Sequence, residues 1–396
     1  MLAARAQALT GSQTSGMRNR ARKLRSEGIH VVNFAAGELD QDTSPRIKEA
    51  VRKAIDAGAT QYTDTLGIRQ LRERLAAKVT QKTGLEYTPE EVGFTAGAKQ
   101  ALFNAAFVAF EAGDEVIIPA PYWVTFPEQV RLAGATPVFL PTEQNGFQPD
   151  VDELARRITP RTRGLILNTP HNPTGVVYPA SALEQVARLV LQHELTCIFD
   201  ECYDELVYPP AAHCNVVKLV PEMKARTVLI GSFSKTYCMA GWRAGFVAAP
   251  QPMIKTIADL QSHTASNACN LVQHAALAAL EPGNDAFVAG IRQQLSAQRT
   301  AALQLVQKLP GVSCVTPAGA FYLFPEVNGL LQKSFAGRRV ETVDRLAELL
   351  LEHAHLAVVP GSAFGSERHI RISYAIPVEE IIAGLTRLGR FIQLLA

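Results

Sequence analysis

The chain has 396 residues, 47% of them apolar and 19% charged, and a formal net charge of +2. That is an ordinary globular composition, long enough for two domains and a deep site. It argues against nucleic acid or an anionic membrane as the main partner, since both select a concentrated basic field. No apolar run approaches the roughly 18 residues of a membrane span.

The first 26 residues hold no acid and carry Arg5, Arg18, Arg20, Arg22, Lys23 and Arg25. This composition is that of an organellar transit peptide, or of an N-terminal arm running into a basic helix. The arm is the better reading, because no cleavage-like break precedes the folded pattern. Residues 45–58 and 67–82 then have helical spacing, the first with a proline near its start, the second with Leu71, Leu75 and Val79 on one stripe. Short strand-like runs follow at 92–94, 115–118, 137–140, 164–167, 196–199, 228–230 and 245–247, with helical segments at 97–112, 123–133 and 181–193 between them. Several of these runs are apolar throughout, as strands covered on both faces are. The pattern predicts an α/β fold with a mostly parallel sheet flanked by helices. A long helix over 284–308 leads to apolar runs at 314–315, 319–324, 357–359 and 369–373, which read as a smaller α+β domain. The predicted division is 46–290 for the large domain, and 1–45 with 291–396 for the small one. The six cysteines are scattered without a CxxC pair, so they read as buried free thiols of a reducing, cytoplasmic compartment.

Ligands of open α/β sheets bind beyond the carboxyl ends of the strands. Four such ends carry polar groups: Gly97-Ala98-Lys99, then Asn168 to Gly175 with Asn172, then Asp200 with Tyr203, then Ser232 with Lys235. Gly97 and Ala98 open a helix whose free N–H groups favour a phosphate, and Ser232 and Arg243 add donors. A lysine shielded from water loses proton affinity and becomes a nucleophile toward an aldehyde. Lys235 among phosphate-type groups therefore points to a phosphorylated aldehyde, pyridoxal 5′-phosphate. Asp200 is suited to hold the proton on its ring nitrogen, and Tyr203 to bond its phenolic oxygen. Plainer readings stand beside these: Lys235 as a surface lysine, Trp123 as core, Asn172 as a turn cap before Pro173. Asp200, Glu201, Asp204 and Glu205 could form a metal cluster, but no histidine lies near them in sequence, and no metal is expected. His353 and His355 are two apart on a predicted helix, where their side chains diverge.

The chain resembles class I/II pyridoxal-phosphate aminotransferases of fold type I, most closely those of prokaryotic aspartate type. The resemblance runs from about residue 5 to the end. It is carried by "AAGELDQDT", "QYTDTLGIRQLR", "GAKQALFN", "PAPYWVTFPEQV", "HNPTGVVY", "DECYDELVY", "SFSKTYCMAGWRAG", "PAGAFYLFP", "VVPGSAFG" and "RISYA". It implies that Lys235 forms the Schiff base and shuttles the substrate proton. It implies that Trp123 stacks on the cofactor ring and that Asn172 and Tyr203 bond the phenolic oxygen. Asp200 would hold the ring nitrogen, and Gly97, Ala98, Ser232 and Arg243 the phosphate. Tyr62 would reach the phosphate of a neighbouring subunit, making a homodimer with shared sites. Arg371 would grip the substrate α-carboxylate, bordered by the backbone of Gly37 as well as by Trp123 and Asn172.

The same resemblance assigns Lys99, with Ser12 and Thr14 of the arm, to a side-chain carboxylate of the donor. A buried carboxylate does need a cation and donors. The expected reaction is transamination from aspartate or another acidic donor to a 2-oxo acid such as 2-oxoglutarate, in ping-pong order. Three stretches depart from the family pattern: Leu39 and Gln41 in "GELDQDTS" near the substrate entrance, "ASNACN" at 265–270, and "IGSFSK", which is closer to aromatic and alanine relatives. Aromatic, alanine or broad donor specificity is therefore the alternative. Lyases, synthases and oxidases of this fold share the same central residues. A cofactor-sensing regulator would need a DNA-binding module, for which there is no room before residue 46.

Overall fold

The computed structural model describes residues 1–3, 7, 11 and 13–396, without the side chains of residues 13–15. The arm's basic helix is α1 (Gln13–Ser26). Met17 and Ala21 seat it on the body, at 7% and 1% exposed. Then come β1 (Val32–Asn33), α2 (Pro45–Asp56) and α3 (Arg69–Thr83). The Leu71, Leu75 and Val79 stripe of α3 is buried as its spacing predicts.

Seven strands form the main sheet: β2 (Val92–Thr95), β3 (Glu115–Ala120), β4 (Thr136–Pro141), β5 (Thr162–Asn168), β6 (Thr196–Asp200), β7 (Thr227–Ser232) and β8 (Gly245–Ala248). Their order is β2-β8-β7-β6-β5-β3-β4. All pairings are parallel except those of β8, which runs antiparallel to both β2 and β7. Flanking helices are α4 (Ala98–Ala109), α5 (Thr125–Leu132), α6 (Val151–Arg157), α7 (Ala180–Gln192), α8 (Val216–Leu219) and α9 (Gln251–Thr264). The central strands need cover on both faces because they are apolar throughout: Cys197, Ile198 and Phe199 of β6 are all fully buried.

The register sets one row of polar ends. Asn168 pairs with Asp200 across β5 and β6. Ser232 pairs with Gly245 across β7 and β8, and Thr95 pairs with that same Gly245 across β2 and β8. Because β8 is reversed, the residues just before it, Arg243 among them, reach the same edge as the residues just after β2, β5, β6 and β7. A Cβ on Gly245 would run into the backbone of Gly97 and Ala98, so its absence lets the start of α4 sit against the sheet.

The remainder comprises α10 (Asn270–Leu280), α11 (Asp285–Val306), β9 (Tyr322–Leu323), the hairpin β10 (Ser334–Phe335) and β11 (Arg338–Arg339), α12 (Val343–Ala354), β12 (Leu356–Ala357), β13 (Val359–Pro360), β14 (Ile370–Ser373) and α13 (Val378–Gln393). β13, β14 and β9 make a small antiparallel sheet. The arm returns to this region, with Val32 and Asn33 pairing with Leu356 and Ala357.

Some expectations need correction. Cys314-Val315 is no strand: Ser313 makes one bridge to Glu326, and Val315 is 42% exposed, so nothing continues the ladder. The run 319–324 narrows to Tyr322–Leu323 because Ala320 takes a φ of 54°, outside the extended region. The run 357–359 splits between two short strands that pair with different partners. α12 ends before His355, which takes the left-handed cap with a φ of 51°. All six cysteines are free, but only Cys197 and Cys202 are buried, and Cys269 is exposed. No described helix is long and apolar enough to cross a membrane.

Behind β6 lies a buried ionic cluster. Lys82 of α3 donates to Glu201 at 3.0 Å and also to Asp204. His213 lies 3.0 Å from Glu201, and Asn215 donates to the same oxygen at 2.9 Å. So a histidine 12 positions after Glu201 does meet the acidic run, but these carboxylates are engaged by lysines, that histidine and an amide. Burial alone would raise the Asp204 carboxyl, yet attraction by Lys82 and Lys78 outweighs it and holds it at about 2. Glu201 is lowered for similar reasons: burial opposes the shift, and Lys82 and His213 drive it.

Depressed carboxylates stabilise the fold above their unfolded value near 4 and lose that contribution as pH falls through the folded value. Urea unfolding should therefore show stability falling from about pH 4 towards pH 2. Lys82→Met should cost about 3–5 kcal/mol at neutral pH, because it strands two buried carboxylates. An unchanged urea midpoint would contradict this account.

Candidate active site

The polar row opens into a cleft of about 470 Å³ beyond the strand ends. Its lining includes Gly37, Ala98, Lys99, Trp123, Asn172, Asp200, Tyr203, Ser232, Lys235, Arg243 and Arg371. These residues come from distant parts of the chain, and the sheet register with the small antiparallel sheet brings them together.

Asp200 ends β6 and is 4% exposed. Its Oδ1 accepts the backbone N–H of Cys202 at 3.0 Å. Burial pushes its carboxyl up to about 6. A carboxylate placed so is ready for a cation to meet it. Asn168 steadies this strand end. Its Nδ2 donates to the Asp200 carbonyl at 3.1 Å, while its Oδ1 accepts the N–H of Asn172 at 2.9 Å.

Lys235 follows β7, and its Nζ donates to the Gly37 carbonyl. Burial lowers its amine to about 8, helped by the nearby Arg371 and Arg243 and opposed by Cys202 and Glu38. Its charge is thus partly released near neutral pH, unlike that of a solvated lysine.

Arg371 lies on β14 and is 3% exposed. It donates to Asn172 Oδ1 at 3.0 Å and to the Ala35 carbonyl at 3.4 Å. Its guanidinium lies over Tyr322 at 4.4 Å and over Phe364 at 4.9 Å. Its Nε has no partner among the described residues. A buried arginine with aromatic walls and no paired carboxylate among the described residues is organised to receive an anion. Tyr203 and Tyr322 share a hydrogen bond of 3.0 Å beside it.

At the other end, Gly97 caps α4 with a φ of 83°. A Cβ there would meet Arg243 Nη2 at 2.6 Å, so glycine lets the guanidinium lie over the helix start. Ser232 Oγ accepts the N–H of Ser234 at 3.1 Å, which leaves its hydroxyl proton free to donate. A helix N-terminus, a hydroxyl and a guanidinium on one spot fit a phosphate. Lys99 Nζ lies 5.0 Å from the Trp123 ring, and burial, then Arg243, lowers its amine.

Other predicted residues lie elsewhere. Tyr62 is 87% exposed and stands outside this cleft, beside a separate open depression shared with Asn267, Cys269 and Asn270. Ser12 lies outside the described residues, as does the side chain of Thr14. Leu39 and Gln41 do not line the cleft. Gln41 turns to Gln294 of α11, and Glu38 takes the lining position instead. Sequence reasoning gave no role to Arg18, Glu38, Asn168, Cys202 or Tyr322, all of which line the cleft. Strand-end position would have found Asn168, whereas no local signal marks Arg18 or Tyr322.

Comparison with known proteins identifies the family and the fold. A model of the family Aminotransferase class I and II matches residues 29–388. The aspartate aminotransferase of Geobacillus stearothermophilus is 41% identical over 393 residues, 99% of each chain. The aspartate/prephenate aminotransferase of Cereibacter sphaeroides is 39% identical, over 96% of each chain. Among solved structures, aspartate aminotransferase from Thermus thermophilus with maleate has a TM-score of 0.93 at 38% identity, covering 99% of each chain. That of Rhizobium meliloti has 0.95 at 34% identity, covering 100% of each chain.

The lowered Lys235 amine can be read directly. In protein stripped of small molecules, acetylation of Lys235 by a brief pulse of acetic anhydride, followed by peptide mass analysis, should rise through about pH 8, against 10.5 for an ordinary lysine. A Lys235 profile that tracks the surface lysines would show that burial does not shift it.

Proposed function

The chain belongs to aminotransferase class I and II, and from that premise we propose that it moves the amino group of an acidic L-amino acid, aspartate first, to a 2-oxo acid such as 2-oxoglutarate. Its cofactor is pyridoxal 5′-phosphate, and the two half-reactions run in ping-pong order. The observation that carries this reading is Arg371, a guanidinium 3% exposed with no paired carboxylate among the described residues, opening on the same cleft as Asp200 and Lys235. The names of the relatives, aspartate and aspartate/prephenate aminotransferases, support the acidic donor.

The donor set fits the cofactor at both ends. Asp200, raised by burial, suits a protonated ring nitrogen, which would restore its charge. Gly97, Ala98, Ser232 and Arg243 suit the phosphate. Trp123 offers a ring face, and Asn172 and Tyr203 offer groups for the phenolic oxygen. When bound, the cofactor supplies an aldehyde to carry the amino group and a ring that draws electron density from the substrate Cα.

The chain's own groups do the rest. Arg371 fixes the α-carboxylate as a fork, and Asn172, bonded to it, keeps that fork in plane. Tyr322 and Phe364 wall the guanidinium and keep water from it. Lys235, with its amine lowered to about 8, would hold the cofactor and supply the group that takes and returns the proton at the substrate Cα. Lys99 meets the far end of the donor, with Ser12 and Thr14 of the arm.

We read residues 46–290 as the domain that holds the cofactor, and 1–45 with 291–396 as the domain that carries Arg371. The pairing of Val32–Asn33 with Leu356–Ala357 supports joining the arm to the C-terminal part. The 87% exposure of Tyr62 supports a homodimer in which it reaches the partner's phosphate site.

The test is to give the holoenzyme one amino acid at a time without an acceptor. Aspartate and glutamate should react fastest and release a single equivalent of 2-oxo acid per site. Continuous release with ammonia would mark lyase chemistry instead. Lys235→Ala should abolish turnover, and near-normal turnover would remove it from the mechanism. Arg371→Lys should raise KM for acidic and neutral donors alike, by about tenfold or more, because the fork is lost. An unchanged KM would mean that another group holds the α-carboxylate.

A further inference from the structure

The cleft is lined by five cations, Arg18, Lys99, Lys235, Arg243 and Arg371, against two carboxylates, Glu38 and Asp200. The proposed reaction occupies Lys99, beside Trp123, as well as Lys235, Arg243 and Arg371, and leaves Arg18 without a role. Like charges gathered in one cleft cost free energy unless an anion joins them.

Arg18 sits on α1, next to Met17, whose side chain anchors the helix at 7% exposed. The other basic residues of α1 with recorded partners are engaged outside the cleft. Arg20 faces Glu348 at 3.9 Å and Glu352 at 3.7 Å, on α12. Arg25 donates to the Val31 carbonyl at 2.9 and 2.6 Å. Arg18 is half-buried, and its Nε is shut off from water with no hydrogen-bond partner among the described residues. Neither carboxylate of the lining, Glu38 or Asp200, forms an ion pair with it among the described residues. A sequestered N–H on a guanidinium that faces a cleft is costly to leave unmade.

Resting on the acidic-donor reading, we propose that Arg18 is a specificity-determining residue that receives the side-chain carboxylate of the donor, together with Lys99. The α-carboxylate is already taken by Arg371, so a donor with a single carboxylate leaves Arg18 unsatisfied. A dicarboxylate satisfies both ends of the cleft. Because Arg18 belongs to the arm, the same contact ties α1 to the bound substrate and makes the arm part of the recognition surface.

The experiment compares wild-type holoenzyme with Arg18→Gln and Arg18→Lys. Single-turnover rates with L-aspartate, L-glutamate and L-alanine are measured, and maleate and acetate binding is followed by calorimetry. Arg18→Gln should cut the preference for aspartate over alanine by about tenfold to a hundredfold, the size of a lost charged hydrogen bond. Maleate should weaken far more than acetate. Arg18→Lys should recover part of the preference, since it keeps the charge and loses the fork. Combined with Lys99→Gln, the losses should be less than additive, because both groups would serve one carboxylate. Equal losses for aspartate and alanine, or an aspartate preference unchanged in Arg18→Gln, overturn the inference while leaving the proposed function standing. A wild-type enzyme that shows no preference for acidic donors overturns both.

Discussion

Everything in the site hangs on the alignment of strand ends in the main sheet. Asn168 and Asp200 are register partners across β5 and β6, and Ser232 and Gly245 are partners across β7 and β8. Hydrogen-bonded partners on neighbouring strands are held only a few ångströms apart. A slip of one residue would turn Asp200 out of the cleft and an apolar neighbour into it. The reversed strand β8 extends this row: it feeds Arg243 to the same edge from its start, where a parallel strand would have carried it to the far side.

Given that row, burial sets the chemistry of its members. The same loss of water raises Asp200 to about 6 and lowers Lys235 to about 8. Both shifts move a group towards its neutral form, one ready to pair with a cation and the other ready to act as a nucleophile. Arg371 cannot follow them by giving up its proton in the ordinary range, so it keeps its charge and waits for an anion. The site is organised to be completed by ligands, which is why its cations outnumber its carboxylates.

The cluster of Lys82, Glu201, Asp204 and His213 begins at the residue after Asp200, and its two carboxylates are paired within it. Its role is to hold the turn after β6. Asp200 and Glu201 are adjacent in the chain and both buried, at 4% and 2% exposed. Only their partners differ. One carboxylate is neutralised by the protein, and the other is left for what binds in the cleft.

The legible part of the molecule was the part written locally. Apolar runs of β length marked all seven strands of the main sheet, and the residues following four of them marked Gly97, Asn172, Asp200 and Lys235. Helical spacing marked α2, α3, α4 and α11. Short runs near the C-terminus misled, because whether Cys314-Val315 or Ala320 extends a ladder depends on a partner strand and a backbone angle that composition does not record. Asn168 escaped although its strand end was read, since its bonds to Asp200 and Asn172 exist only once β5 and β6 are paired. Arg18, Glu38 and Tyr322 escaped for the same reason at longer range. The sequence by itself determined the fold class, the strand-end row and the place of Lys235 in it, because periodicity and strand-end position act over a few residues. Tertiary structure alone decided which cations share a cleft, which carboxylates are already paired and where the arm lies. Those depend on distances between residues hundreds of positions apart, and on the water that packing removes.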